Sequence, residues 1–306
     1  MSAITAPGAA GQAPDISTNA QQRARFRRGN IFVALLGIAA LLTFASLVTL
    51  LWTTAADGYS RLSWDLLTNM PTASARRVND AGLSSALWGT IWVIGLTAII
   101  AFPVGTCAAV YLEEYGPKNR FTRLMQINIA NLAGVPSIVY GLLGLGIFAE
   151  IFALGRSVIT GALTMAILIL PIIIIASREA IRSVPPSLRE AGYGLGATKW
   201  QVTWSHVLPS ALPGILTGTI LALSRAIGES APLIVAGAVP TLLFRPQGLE
   251  STYSALPVQI YDWISRPQKE FHELAAAGII VLLLVLIVMN SAAIIIRQRF
   301  SSKLKG

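Results

Sequence analysis

Two ionisable residues interrupt a stretch of the chain that is otherwise apolar. Arg225 and Glu229 lie within residues 220–233, whose other members are aliphatic or small. They are four residues apart, so on a helix they share one face and can neutralise each other. If the segment spans a membrane, such charges typically mark a pathway, and the planar donor fork of arginine suits a tetrahedral oxyanion. The pair predicts an anion pathway, with Ser230 as a further hydroxyl donor; an ion pair that only holds helices together is the alternative.

A second apolar stretch contains amides, glycine and proline. Asn128 and Asn131 precede Gly134 and Pro136 in a segment with few charges. Polar groups in such a segment indicate a face that is buried in protein or lines a cavity. We therefore include both asparagines in the predicted pathway, while helix-packing contacts explain them equally well.

The loop 177–209 is longer than a simple turn between helices requires. Ser187 and Glu190 have the spacing of a capping box, which predicts a short helix beginning at residue 188. Its glycines make it a poor isolated helix, so it should be stabilised by a partner surface or by lipid headgroups. The apolar and aromatic residues expected on that surface are Ala191, Tyr193, Leu195, Ala197 and Trp200.

Several kinds of chemistry are absent from the sequence. No Gly-x-x-x-x-Gly-Lys-Ser/Thr motif occurs, so ATP binding through a P-loop is excluded and any ATP must be bound by another subunit. His206 and His272 have no companions for a triad, and Cys107 is the single cysteine. We therefore predict no catalytic residue, no metal site and no cofactor held by this chain.

The composition of the chain indicates whether these residues lie in water or in a membrane. Of the 306 residues, 54% are hydrophobic and 12% are charged, about half the charged fraction of an average soluble domain. The mean hydropathy of +0.65 agrees with this. A soluble enzyme and a disordered chain are both excluded, and the sequence predicts a polytopic membrane protein.

Six apolar segments are long enough, or nearly so, to cross a bilayer as helices. We predict an all-α protein with a transmembrane domain over 29–300, a disordered basic tail over 1–28 and a short tail over 301–306. The predicted spans are 31–52, 85–112, 124–148, 158–176, 211–237 and 274–296.

Loop charges predict the orientation. With both termini in the cytoplasm, the cytoplasmic segments carry 15 Lys and Arg residues against seven on the other side. This bias follows the positive-inside rule and accounts for the net charge of +9 without nucleic acid.

The loop 177–209 resembles the EAA motif of ABC-importer permeases. That motif reads Glu-Ala-Ala, three residues, Gly, nine residues, an aliphatic residue, one residue, Leu-Pro. Here Gly192 replaces the second alanine and His206 stands at the aliphatic position. The residues that match it at the correct spacing are Glu190, Ala191, Gly196, Leu208 and Pro209.

Three further segments, 128–144, 223–233 and 254–261, look like phosphate-importer permeases of the PstA type. The resemblance implies the type I, MetI-like importer fold in a bacterial inner membrane. It implies two copies of an ATP-binding subunit, a second related permease and a periplasmic or extracellular phosphate-binding protein. By the same resemblance, residues 190–200 contact the ATPase, and the Arg225–Glu229 pair lies along the phosphate pathway.

Two other functions remain open from the sequence. An ion-coupled secondary anion transporter would use the Arg225–Glu229 pair and need no partner, but six spans and a helical cytoplasmic loop argue against it. An ABC permease for another oxyanion, such as sulfate or molybdate, would share all of the features described above.

Overall fold

The structure is a computed structural model that describes residues 16–303, with side chains described for Arg25, 29–295 and 297–299. The residues so described form helices joined by loops, without β-strands. The outermost parts of the predicted tails, 1–15 and 304–306, lie outside the described residues. In chain order the helices are α1 (Ile16–Gly58), α2 (Trp64–Thr68), α3 (Ser84–Val110), α4 (Arg120–Leu132), α5 (Ser137–Leu143), α6 (Val158–Arg182), α7 (Pro186–Gly194), α8 (Lys199–Val202), α9 (Leu208–Gly228), α10 (Ala231–Val235), α11 (Leu256–Ile264) and α12 (Lys269–Lys303).

Wider π-helical turns extend three of these helices. Tyr111–Tyr115 continues α3, Gly144–Ile151 continues α5, and Thr203–Val207 joins α8 to α9. Two short 3-10 helices, Tyr59–Arg61 and Ala75–Asp80, lie between α1 and α3.

The all-α, six-span prediction is confirmed with two differences in helix shape. Within the described residues five helical segments are long and apolar enough to cross a membrane, and a bent pair supplies a sixth. That pair, Arg120–Leu132 with Ser137–Ile151, turns through 105° where the sequence predicts one straight span over 124–148. The predicted span 211–237 is also interrupted, because α9 ends at Gly228 and α10 begins at Ala231. Both breaks occur beside a glycine and a proline, which weaken or remove helical hydrogen bonds.

The chain divides into two compact units at Thr53 and Thr54. In the first unit α1 begins at Ile16, within the segment for which the sequence predicts a disordered tail. Its large apolar side chains between Ile31 and Trp52 are exposed, as expected of a helix surrounded by lipid.

In the second unit α6 packs between α3 and α9 and is the most buried of the candidate spans. Small residues allow the close approach of α6 and α9. A methyl group on Gly214 would lie 2.7 Å from the Cβ of Ala180, and one on Gly218 would overlap the Cβ of Ala176. Such small-residue contacts let membrane helices associate through dispersion and backbone proximity, because lipid supplies no hydrophobic drive between them.

This packing yields a prediction with a matched control. We expect Gly218→Ala to lower the free energy of unfolding by about 1–3 kcal/mol, because the added methyl group forces α6 and α9 apart. Gly95→Ala in α3 adds the same methyl group where no atom lies within 4 Å, so stability should be unchanged or slightly raised. Denaturation of the purified protein in detergent, followed by circular dichroism, measures both. Equal stability of the two variants would contradict the packing described above.

Candidate coupling loop and anion pathway

The loop after α6 forms two short helices, and the first begins two residues before the predicted position. Pro185 is the N-cap of α7, Pro186 is its first helical residue, and no side chain caps it. The predicted capping box at Ser187 and Glu190 is therefore wrong. Proline is favoured at the first helical position because its ring fixes φ and its missing N–H would have no partner there. A capping box does occur further along, where Thr198 and Gln201 cap α8.

Gly196 of the EAA motif ends the first of these helices. It has a φ of +81°, in the left-handed region that glycine adopts without steric cost. The N–H of Gly196 donates to the carbonyl of Tyr193 at 2.9 Å, and the N–H of Ala197 donates to that of Gly192 at 3.1 Å. These two bonds form a Schellman motif, which satisfies the last carbonyls of a helix. The predicted continuous helix through Trp200 is therefore two helices separated by this turn.

Gly192, which replaces the second alanine of the motif, has a packing role. It is buried, and a methyl group added to it would lie 2.8 Å from Cγ2 of Val202 in α8. The glycine lets α7 fold back closely onto α8. Leu208 and Pro209, which end the motif, form the first turn of α9 and are half-buried.

Most residues of α7 and of the turn after it are exposed in the described part of the chain. Glu190 and Ala191 are exposed, and Leu195 is 90% exposed although it is apolar. Ala197 is half-buried beneath the turn. Four of the residues that the sequence predicts on a partner surface are exposed, namely Ala191, Tyr193, Leu195 and Trp200.

An ionic cluster that the sequence analysis missed fastens this loop to the end of α3. Glu113 accepts hydrogen bonds from Arg178 at 2.7 Å and from Arg182 at 2.8 Å. Glu114, whose side chain is 8% exposed, pairs with Arg189 of α7 at 2.9 Å. We call these five residues the ionic cluster. Two adjacent carboxylates directly after an apolar run, with three arginines in the next basic loop, are the sequence signal that could have revealed it.

Arg189 makes further contacts that fix where α7 lies. Its guanidinium donates to the carbonyl of Val184 at 2.7 Å and to that of Ile181 at 3.0 Å. Ile181 lies in the last turn of α6 and Val184 follows that helix, where the regular helical hydrogen bonds come to an end. One side chain therefore joins α7, the end of α6 and the end of α3.

Arg225 and Glu229 form the predicted pair at the other end of α9. The guanidinium nitrogen Nε lies 3.3 Å from a carboxylate oxygen of Glu229. The Arg225 side chain is 54% exposed and that of Glu229 is 20% exposed in the isolated chain. The pair is therefore not sealed within the helix bundle, and the guanidinium has donors left over for an anion.

Glu229 stands where the helix breaks. Its backbone is extended, and Ser230 is the N-cap residue of α10 but makes no capping hydrogen bond through its side chain. A methyl group on Gly141 of α5 would lie 2.9 Å from the Cα and carbonyl oxygen of Pro232. The break in the fifth span thus packs directly against the second half of the bent third span.

Asn128 and Asn131 lie on α4, the first half of that bent span, and both are exposed in the isolated chain. The hydroxyl of Tyr140 donates to the carbonyl of Leu132 at 2.7 Å and fixes the bend. Within the part of the chain that the structure describes, no hydrogen bond joins either asparagine to Arg225 or Glu229. The structure brings the two broken spans together, without a hydrogen bond between the asparagines and the Arg225–Glu229 pair.

Two polar contacts between α9 and α12 were also missed. The hydroxyl of Ser224 lies 2.5 Å from the side-chain oxygen of Asn290, and Arg297 donates to the hydroxyl of Thr217 at 2.9 Å. No motif links these residues in the sequence, because their partners are 66 and 80 positions apart. In the described ranges no group of three or more His, Cys, Asp and Glu side chains could hold a metal ion.

These elements define a class of membrane protein: a polytopic helical bundle with an exposed helical loop and a charged break within one span. Residues 101–305 match the family model of the binding-protein-dependent transport system inner membrane component. The chain belongs to this family of ABC-importer permeases.

Relatives agree with this membership, and a solved structure shares the fold. The chain is 35% identical over 228 residues to the phosphate transport system permease protein PstA 1 of Mycobacterium tuberculosis H37Rv, covering 72% of each chain. It is 31% identical over 265 residues to PstA of Haemophilus influenzae, covering 86% of this chain and 92% of that protein. The fold resembles a chain of a bacterial alginate ABC transporter, with a TM-score of 0.61, 17% identity and coverage of 88% and 94%.

Gly196 provides a test of the loop geometry. We expect Gly196→Ala to destabilise the turn by about 1–2 kcal/mol, because a side chain at a φ of +81° meets the following carbonyl. Gly194→Ala, two residues earlier and in open space, should be neutral or mildly stabilising. Limited proteolysis between residues 186 and 199 measures the opening of the loop. Equal cleavage rates for the two variants would contradict the Schellman turn.

Proposed function

We propose that this chain is the permease subunit of an ATP-driven importer of inorganic phosphate. Phosphate is proposed as the substrate because the chain is similar, over about three quarters of its length or more, to permeases named for phosphate transport. An arginine at a helix break within the fifth span is consistent with an anionic substrate. Family membership favours this function over an ion-coupled secondary transporter.

The importer would contain several other chains. We propose two copies of an ATP-binding subunit, a second related permease and a phosphate-binding protein on the outer side. ATP would be bound and hydrolysed by the partner subunits, and this chain would hold no cofactor or metal. The family description and the composition of related transporters support these kinds of partner.

The coupling loop would carry movement from the ATPase into the spans. The exposed face of α7, with Glu190, Ala191 and Leu195, would contact the ATP-binding subunit. Because Arg189 joins α7 to Glu114 and to the end of α6, a shift of α7 would be transmitted to α3 and α6 together. Gly196 and Ala197 would keep α7 at a fixed angle to α8, which continues through Leu208 and Pro209 into α9.

The pathway would use the charged break at the end of α9. In the absence of substrate, Glu229 neutralises Arg225 at 3.3 Å. A phosphate anion could replace this carboxylate as the acceptor for the guanidinium, because both are oxyanions that match its donor geometry. Ser230, which caps no helix through its side chain, and the exposed amides of Asn128 and Asn131 would supply further hydrogen bonds along the route.

We place the protein in the bacterial inner membrane as a multi-pass subunit with both termini in the cytoplasm. This orientation is supported by the 15 Lys and Arg residues that it places on the cytoplasmic side, against seven on the other side. The coupling loop then faces the cytoplasm, where ATP is available.

Uptake of radiolabelled phosphate by phosphate-starved cells tests the function. We expect deletion of the chain to abolish high-affinity uptake and the intact chain to restore it. Arg225→Ala should assemble but reduce uptake by about tenfold or more, because hydrogen bonds to a charged group contribute about 1.5–3 kcal/mol. Arg120→Ala, which removes an exposed arginine outside the predicted pathway, serves as the matched control.

The outcomes test the identity of the substrate and the role of Arg225 separately. Normal phosphate uptake after deletion, in cells with no redundant importer, would contradict phosphate as the substrate; lost sulfate or molybdate uptake would then identify another oxyanion. Normal uptake by Arg225→Ala would show that the arginine is structural.

A further inference from the structure

A polar cavity opens beside the end of α3 that carries the ionic cluster. Its volume is 550 Å³, and we call it the basic cavity. Three segments form its wall: the π-helical end of α3 with the loop after it, the first two turns of α4, and the last residue of α6. None of its lining residues belongs to the predicted pathway or to α7. The charged and amide side chains that line it are Glu113, Lys118, Asn119, Arg123, Gln126 and Arg182.

The charges around the basic cavity do not balance. Arg182 is matched by Glu113 at 2.8 Å and by Glu179 at 3.2 Å. Lys118 and Arg123 also line the cavity, and neither forms an ion pair within the part of the chain that the structure describes. The lining therefore has three cations and one carboxylate, a net charge of +2. Basic loops are common on the cytoplasmic side of membrane proteins, but here the charges converge from separate segments on one concavity, which attracts anions.

Hydrogen-bond donors accompany these charges. The side-chain oxygen of Asn119 accepts from the N–H of Thr122 at 2.9 Å, which leaves the amide NH₂ group of Asn119 for another acceptor. Gln126 is half-buried one turn further along α4 and lines the same cavity. Arg182 uses one nitrogen for each of its two carboxylates and keeps further N–H groups. Guanidinium, ammonium and amide groups in one cavity suit an oxyanion, which accepts from all three.

The start of α4 carries charges that are unfavourable for the helix itself. Arg120 and Arg123 lie within its first four residues, and no acidic residue lies in its first turn. Positive charges at the start of a helix oppose its dipole. An anion bound beside Arg123 would offset this repulsion.

We propose that the basic cavity binds a phosphate group. Lys118 and Arg123 would neutralise it, and Arg182 with the amides of Asn119 and Gln126 would donate further hydrogen bonds. A phosphate group carries a charge of about −1.5 to −2 at neutral pH, which matches the net charge of the lining. Inorganic phosphate and a phospholipid headgroup share this chemistry, and both can reach the ends of the two candidate spans at which the cavity lies.

The basic cavity adjoins the ionic cluster. Arg182 belongs to both, since it lines the cavity and donates to Glu113 at 2.8 Å. A bound phosphate group would therefore share this guanidinium with Glu113. Binding here does not depend on phosphate being the transported substrate, because the lining residues lie outside the predicted pathway.

Acylation of lysine reports on the occupant at the site itself. The assembled importer in lipid-free detergent is treated with an amine-acylating reagent, and each modified lysine is quantified by mass spectrometry. Inorganic phosphate is titrated against chloride at constant ionic strength. Lys118 should lose reactivity as phosphate is added, because a bound anion holds the amine in its charged, unreactive form. Lys269, which is exposed at the start of α12 and lies outside the cavity, should react at a constant rate.

The same measurement in phosphatidylglycerol nanodiscs distinguishes the two sources. Free phosphate is the occupant if Lys118 reacts in both media until phosphate is added. A headgroup is the occupant if Lys118 is already protected in nanodiscs but reacts in detergent until phosphate is added. Constant reactivity of Lys118 in detergent, or equal protection of Lys269, would overturn the proposal. So would a Lys118 that is unreactive in detergent before phosphate is added, because another subunit would then cover the cavity.

Two arginines of α4 provide a variant and its matched control. In detergent, Arg123→Gln should raise the phosphate concentration for half-protection of Lys118 about tenfold, because it removes charged hydrogen bonds to the anion. Arg120→Gln removes the same charge from the same end of the helix, but Arg120 does not line the cavity, so the shift should be less than about twofold. Both arginines are exposed, so both variants should fold. Equal shifts in the two variants would overturn the proposal.

Discussion

Two adjacent carboxylates at the end of α3 determine how the coupling loop is held. Glu113 pairs with Arg178 and Arg182 at the end of α6, and Glu114 pairs with Arg189 of α7, so α3, α6 and α7 meet at one place. The side chains of Glu114 and Arg189 are largely removed from water. Removing one partner from such a pair leaves an uncompensated charge, which is strongly destabilising. The position of α7 relative to the spans therefore depends on this cluster more than on the helical propensity of its own glycine-rich sequence.

We propose that movement at the coupling loop reaches the charged break through α9, which runs between them. Its first turn follows the loop, and its last residues carry Arg225 and the break at Glu229. Close contact through Gly214 and Gly218 packs α9 tightly against α6, and the break itself packs against the bent third span at Gly141. A helix that ends at an interruption within a span is one place where a subunit that alternates between two arrangements could bend.

Periodicity and composition were sufficient to predict the helices, because membrane spans must be long, apolar and internally hydrogen-bonded. They also predicted the pairing of Arg225 with Glu229, since both residues lie on one helix. What they could not predict were contacts between distant segments, such as Glu114 with Arg189 and Ser224 with Asn290. The capping box was placed at Ser187 because its spacing is correct, but Pro186 had already started the helix. The 105° bend between α4 and α5 was missed for a related reason, since hydropathy averages over a break of four residues.

The central claim, that the Glu114–Arg189 contact transmits movement, is tested most directly by a double-mutant cycle in proteoliposomes that contain the assembled importer. The quantity to measure is the number of ATP molecules hydrolysed per phosphate transported. Glu114→Gln and Arg189→Gln should each raise this ratio, and the double variant should be no worse than the more severe single one, because both changes remove the same contact. Effects of the two changes that simply add, or single variants with an unchanged ratio, would contradict the account.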